Sequence, residues 1–349
     1  MKTRNADEFN LFQSARLVAA TLVILCHSYA VVLGPARYPG FIFVLGTPLY
    51  SIAVRVFFVI SGYLVAKSII SGCSIKYFAF ARAVRIYPAL IISLAATTVL
   101  VGIWFTTLSV INFAKSVETI QFFLKNLILI SSPIKTLPGA FAGNPYPNLV
   151  NPSLWTLPVE VRWYILSGVI YFSLRNSIHI KFITVSICIL AWIGASSIHI
   201  VGRNQFPEFV VNFFNTFPYF LAGAAAFLMR DRLRYLPLGC FLAIAAMFFS
   251  RGIDVANAII SLIAIPYVVM GACLGRTIAI DVYLRKYDVS YGMFIYSFPI
   301  QQIVESISQT KSAGLVMAIS FPLTILASVV SWHFVERRFL ELKKKVPFK

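Results

Sequence analysis

Residues 88–110, PALIISLAATTVLVGIWFTTLSV, and 255–274, VANAIISLIAIPYVVMGACL, contain no Asp, Glu, Lys or Arg. Each run is about 20 residues or longer, enough for an α-helix rising ~1.5 Å per residue to cross a hydrocarbon core of ~30 Å. Lipid offers the backbone no hydrogen bonds, so such runs must satisfy their own N–H and C=O groups as helix. The rest of the chain has the same character. Of its 349 residues 59% are hydrophobic and 12% charged, whereas a soluble domain carries about 25% charged residues.

Working outward from these runs, apolar spans fall at approximately 11–34, 48–71, 88–110, 158–174, 182–200, 212–229, 236–250, 255–274, 289–308 and 314–335. The pattern predicts an all-α polytopic membrane protein of about ten transmembrane helices. The first span holds Arg16 and His27 and lacks the clean apolar core and small-residue cleavage site of a signal peptide, so it reads as a retained helix. The net charge of +18 raises the possibility of nucleic acid. Its distribution argues for topology instead. Seven basic residues (Arg37, Lys115, Lys125, Lys135, Arg203, Arg251, Lys311) fall on one side, and Arg16, Arg55 and Arg162 fall inside spans. The other 20 of the 30 share a side with both termini. That is the positive-inside pattern, and it predicts cytoplasmic N and C termini.

No internal repeat or low-complexity tract is present, and the short gaps leave no room for an appended soluble domain, so residues 1–349 read as a single transmembrane domain. The one long gap, 111–157, begins with an apolar half carrying Lys115, Glu118 and Lys125, which suits a helix at the interface or dipping part-way in. It ends in SSPIKTLPGAFAGNPYPNLVNPS, an ordered or mobile loop rich in turn residues and long enough to form a mouth or lid over a site. The five cysteines (Cys26, Cys73, Cys188, Cys240, Cys273) show neither CxxC nor metal-ligand spacing and read as small apolar filler.

Ionisable groups at membrane depth are costly unless they face a cavity or a partner. Arg16 and His27 are eleven positions apart, close to three helical turns, which puts both on one face ~16 Å apart along the axis. Either one alone is equally readable as structural: a His bonded to a neighbouring helix, an Arg snorkelling to headgroups. Glu160, in SLWTLPVE, opens the fourth span after the long loop, at a depth expected to match His27. A carboxylate there would orient an imidazole acting as general base; the alternative is a first-turn carboxylate facing the helix dipole. Arg162, two residues on, reads as a partner for lipid phosphate. Arg82 and Arg85 in FARAVRIYP, predicted between spans two and three, are three apart on a helical turn and suit a bidentate phosphate grip, or simple topological anchoring.

Together these segments resemble the membrane acyltransferase-3 family. The resemblance rests on Arg16-x10-His27, RVFFVISGYL at 55–64, RAVR at 82–85, SLWTLPVE at 153–160, SYGMFIYSFP at 290–299 and SWHFVERRF at 331–339, which follow the family's order. It implies an acyl-CoA-dependent membrane O-acetyltransferase of the bacterial inner (cytoplasmic) membrane, moving an acyl group to a hydroxyl of an extracytoplasmic glycan. It implies catalytic roles for His27 and Glu160, acyl-CoA binding by Arg16, Arg82 and Arg85, and acceptor-site or supporting roles for Arg55, Ser153, Trp155 and Tyr291. Two positions depart from the family pattern: Ser297 where a His is frequent, and Arg338 where a Pro is frequent. Acetyl-CoA or another acyl-CoA would be a donor substrate and not a resident cofactor, the partners being membrane lipid and a glycan or lipid-linked glycan. The rival class is a proton-coupled transporter using His27, Arg16, Arg55 and Glu160 as a relay, against which no inverted repeat is visible.

Overall fold

The first helix, α1 (Phe12–Leu33), is fixed at its start by tertiary capping: the backbone N and the hydroxyl of Ser14 donate to Asp281 Oδ1 at 3.0 and 2.9 Å. In the computed structural model, residues 10–34, 43–274, 279–284 and 286–345 are described. A short hairpin, β1 (Phe43–Val44) and β2 (Thr47–Pro48), leads into α2 (Leu49–Ile70). Helix α3 (Ile75–Leu100) continues as a π turn over Val101–Phe105. The long gap supplies α4 (Val110–Lys115) and α5 (Val117–Ile128), and a 3₁₀ turn at Pro152–Trp155 enters α6 (Thr156–Leu174). There follow α7 (Ile180–Val201), α8 (Glu208–Leu228), α9 (Pro237–Phe249), α10 (Asp254–Cys273), α11 (Ala279–Leu284) and α12 (Ser290–Ser308). The chain closes with α13 (Ala313–Ser331), a π turn over Trp332–Glu336, and α14 (Arg337–Lys345).

A helix occupies each of the ten spans read from the sequence. Seven of the described helical segments are long and apolar enough to cross a membrane, those at 12–33, 49–70, 75–105, 180–201, 208–228, 254–273 and 313–343. Helix α9, with 13 residues, is ~20 Å long and falls short of a ~30 Å core. The third helix starts at Ile75 and not near residue 88. Ser74 caps it by accepting from the Tyr77 N–H at 3.2 Å, so Arg82 and Arg85 sit in its second and third turns and not in a gap. Lys2, Arg4, Arg37, Arg276, Arg285 and Lys349, which enter the charge argument above, lie outside the described residues.

The tightest seam joins α2 to α8. A Cβ built on Gly62 would overlap the carbonyl of Phe220, and one on Gly223 the carbonyl of Val59. Backbone therefore packs on backbone, a contact only glycine permits, in the manner of small-residue seams between membrane helices. Alanine at Gly62 or Gly223 must push the helices apart. Each substitution is expected to lower stability by at least about 3 kcal/mol, the upper range for overpacking, seen as loss of the monodisperse peak in a detergent melting series.

The second half of the long loop is ordered and pinned to α12. Asn144 Nδ2 donates to the Gln302 carbonyl and side-chain oxygens at 2.9 and 2.8 Å, and Gln302 Nε2 donates to the carbonyls of Tyr146 and Leu149 at 2.8 and 2.6 Å. Asn151 Nδ2 donates to the Ile295 carbonyl at 2.8 Å. On the other flank Gln301 Nε2 donates to the Ile24 carbonyl and to Ser28 Oγ. Helix α12 is thus the post to which both the loop and α1 are tied.

Candidate active site

Three sequence-distant segments meet at Asp288, just before α12. Arg85 Nη2 approaches Asp288 Oδ2 at 2.6 Å and Arg16 Nη1 reaches the same oxygen at 3.4 Å, while Oδ1 accepts from the Ser290 hydroxyl at 2.6 Å. Asp288 is 8% exposed. Burial alone would raise its pKa, but Arg85, Arg16 and Ser290 outweigh it and hold the carboxyl below its ordinary value. Arg85 also faces Glu336 at 3.9 Å and lies over the Tyr291 ring. Tyr291 is fixed by its hydroxyl, which donates to the Ile86 carbonyl at 2.9 Å.

Arg82, one turn before Arg85, is held differently. Its guanidinium lies over the rings of Tyr164 and Phe78, at 5.1 and 5.4 Å from their centroids, and its Nε has no hydrogen-bonding partner among the described residues. Arg85 is thus committed to carboxylates, whereas Arg82 presents a planar cation stacked on aromatic faces with donor capacity to spare.

Both arginines open onto a cleft of about 110 Å³ that also takes in Arg16, Ser61, Glu160, Tyr164, Tyr291 and Lys343. A second, more apolar cavity shares Arg16, Ser61, Glu160 and Tyr291 with it and continues between Val54, Phe57, Phe58, Thr156, Leu157 and Phe294. The two adjoin at these four residues, and the pair, called the passage below, is charged at the arginine end and apolar toward the loop end. Glu160 stands at its waist, accepting hydrogen bonds from Ser61 Oγ at 3.1 Å and from the Tyr164 hydroxyl.

This placement corrects the expected pairing of Glu160 with His27. Glu160 packs against Ser61 in the second half of α2 and lines both cavities with Arg16. His27 lines neither cavity. Its ring packs edge-on against Phe298, centroids 5.1 Å apart, and its buried Nδ1 has no partner among the described residues. Phe298 lies one helical turn beyond Phe294, where the passage ends.

The supporting residues divide in the same way. Ser153 is buried, its hydroxyl without a partner among the described residues, and Trp155 packs on the main core. Arg55 is outside the passage, its Nη1 donating to Ser261 Oγ on α10. Arg162 donates to the Ile130 carbonyl at 2.6 Å and so serves the loop. Sequence reasoning missed Asp288, Glu336, Ser61, Tyr164 and Lys343. The available signal was their type and place: Asp288 and Glu336 are two of only 12 acids in the chain, and both adjoin or lie within quoted segments.

The arrangement is a cluster of cationic side chains opening into an apolar-lined space between helices. Comparison with known proteins finds relatives over nearly the whole chain. The chain is 30% identical over 347 residues to an O-acetyl transferase of Shigella phage Sf6, covering 95% of this chain and 96% of that one. It is 25% identical over 356 residues to nodulation protein 10 of Rhizobium leguminosarum bv. viciae, covering 96% and 94%. No solved structure matches it. The acyltransferase-3 profile, described as an acyltransferase domain, matches residues 12–333. With Arg16, Arg82, Arg85, Glu160 and Tyr291 gathered on one passage inside that stretch, the chain belongs to the acyltransferase-3 family of multi-pass membrane proteins.

Proposed function

We propose that this protein transfers an acyl group, in the first instance acetyl, from cytoplasmic acyl-CoA to a hydroxyl of an extracytoplasmic glycan at the bacterial inner membrane. The observation that carries the proposal is the passage that starts at Arg82, Arg85 and Lys343, passes Arg16 and Glu160, and ends one turn of α12 short of the residue that His27 touches. The positive-inside distribution supports an arginine end facing the cytoplasm, the source of acyl-CoA, and a pinned loop on the other side. This orientation takes all ten helices as crossings, α9 spanning where the bilayer thins around it.

In this reading the donor's phosphates lie on Arg82 and Lys343, and the pantetheine arm follows the passage toward His27. The imidazole takes the acceptor's hydroxyl proton as oxygen attacks the thioester carbon. The carbon–sulfur bond breaks, and the proton passes to the departing thiolate. Glu160, held by Ser61 and Tyr164, keeps the Arg16 stretch of the passage electrostatically balanced and leaves the proton to His27.

Arg82 offers the clean test, because Arg85 is also a structural partner of Asp288. Arg82→Lys keeps the charge but loses the stacked fork. It is expected to insert normally and to weaken acetyl-CoA binding about tenfold, the equivalent of one charge-assisted hydrogen bond, measured by calorimetry on detergent-purified protein. Undiminished binding would remove Arg82 from the donor site.

A further inference from the structure

Arg55 has no acidic partner among the described residues. It lies on α2, 5% exposed, in the half of the helix nearest the β1–β2 hairpin. Its contacts among the described residues are neutral. Nη1 donates to Ser261 Oγ at 3.1 Å, and the guanidinium carbon lies 5.0 Å from the centroid of the Tyr219 ring. The Tyr219 hydroxyl is itself 3.0 Å from Ser261 Oγ, and Nε has no partner among the described residues. No Asp or Glu forms a salt bridge with Arg55 among the described residues. The contrast with Arg16 and Arg85, which share Asp288, is direct.

The neighbours within electrostatic reach deepen the imbalance. Arg203 and His199, whose side chains approach each other at 3.4 Å where α7 ends, both feel the Arg55 charge. Asp254, at the start of α10, acts on Arg203, and Glu208 is taken up by Lys135 at 3.6 Å. A buried cation costs several kcal/mol unless it is paired, and an ionisable group at membrane depth marks a functional position. Stacking on a tyrosine recovers only part of that cost.

We propose that Arg55 is the floor of an anion site that receives a phosphate or carboxylate group of the acceptor, with Arg203 and His199 at its rim. The inference rests on the transferase reading and narrows the acceptor to an anionic saccharide or a saccharide on a phosphate carrier. Ser261 and Tyr219 hold the guanidinium by one edge and one face, leaving the Nε edge for the incoming oxygens. The site lies on the face of α2 turned away from the donor passage, so acceptor anion and donor phosphates do not compete for the same arginines.

The test uses Arg55→Gln, which keeps a donor for Ser261 and removes the charge. If Arg55 serves only an absent anion, the variant in phosphate-free detergent buffer melts above the wild type, by about 2–4 °C. Its stabilisation by added inorganic phosphate shrinks, while its affinity for acetyl-CoA matches the wild type. Arg55→Lys retains charge without the fork and is expected to respond to phosphate weakly. A glutamine variant that melts lower, fails to purify, or responds to phosphate like the wild type makes Arg55 a structural cation and overturns the site. Failure of the wild type to bind acetyl-CoA is a separate result, and it removes the transferase reading instead.

Discussion

Asp288→Ala is expected to cost about 3–5 kcal/mol, the range for breaking a buried ion pair by deleting one partner. The effect should be large because one carboxylate serves two guanidiniums, Arg85 at 2.6 Å and Arg16 at 3.4 Å. Deletion leaves both facing each other across the cleft. Asp288→Asn retains an acceptor for the Ser290 hydroxyl, so the difference between the two variants separates the charge from the hydrogen bond. The sign of the pH effect follows from the depressed carboxyl. Its contribution is fully present above the unfolded value near ~3.9 and is lost as pH falls through the lower folded value. Melting temperatures of wild type and Asp288→Asn should therefore converge on acidification below about pH 4. A constant gap across that range would mean that the aspartate acts by shape alone.

His27→Gln should abolish transfer, by about 10²–10⁴-fold, while leaving the protein inserted and monodisperse. The prediction is sharper than position alone allows, because His27 makes no hydrogen bond at Nδ1 among the described residues and packs on Phe298. A histidine kept for structure would use that nitrogen. His27→Ala is expected to be equally inactive and equally well folded, apart from the small cavity left against Phe298. The measurement is incorporation of labelled acetyl into surface glycan of cells carrying each variant, normalised to the protein in their membranes. Robust transfer by the glutamine variant would take His27 out of the chemistry and leave Glu160 as the base.

The helices were legible in the sequence because hydropathy alone decides them: charge-free runs such as 88–110 have no alternative to helix in lipid. Boundaries set by charge were less secure. Residues 75–87 contain Lys76, Arg82 and Arg85 and read as a gap, yet the Ser74 cap and the apolar frame carry the helix through them. Arg16, Arg82 and Glu160 were visible as polar groups out of place, and the passage unites them. Their partners were not visible, since Glu160 meets Ser61 and Tyr164 and His27 meets Phe298 only through the packing of α2, α6, α1 and α12. Asp288 escaped notice for a geometric reason. It lies 203 residues from Arg85 and 272 from Arg16 along the chain, and only the packing of α12 against α1 and α3 brings the three together.

The glycine seam has a mechanical corollary for the chemistry. Because α2 and α8 touch through bare backbone at Gly62 and Gly223, their separation has no side-chain cushion to compress or relax. Ser61, the residue before Gly62, therefore inherits a fixed address from α8, and through its hydroxyl so does Glu160. A methyl group added on α8, on a helix that lines neither cavity of the passage, would retune the waist of the passage more surely than many changes made inside it.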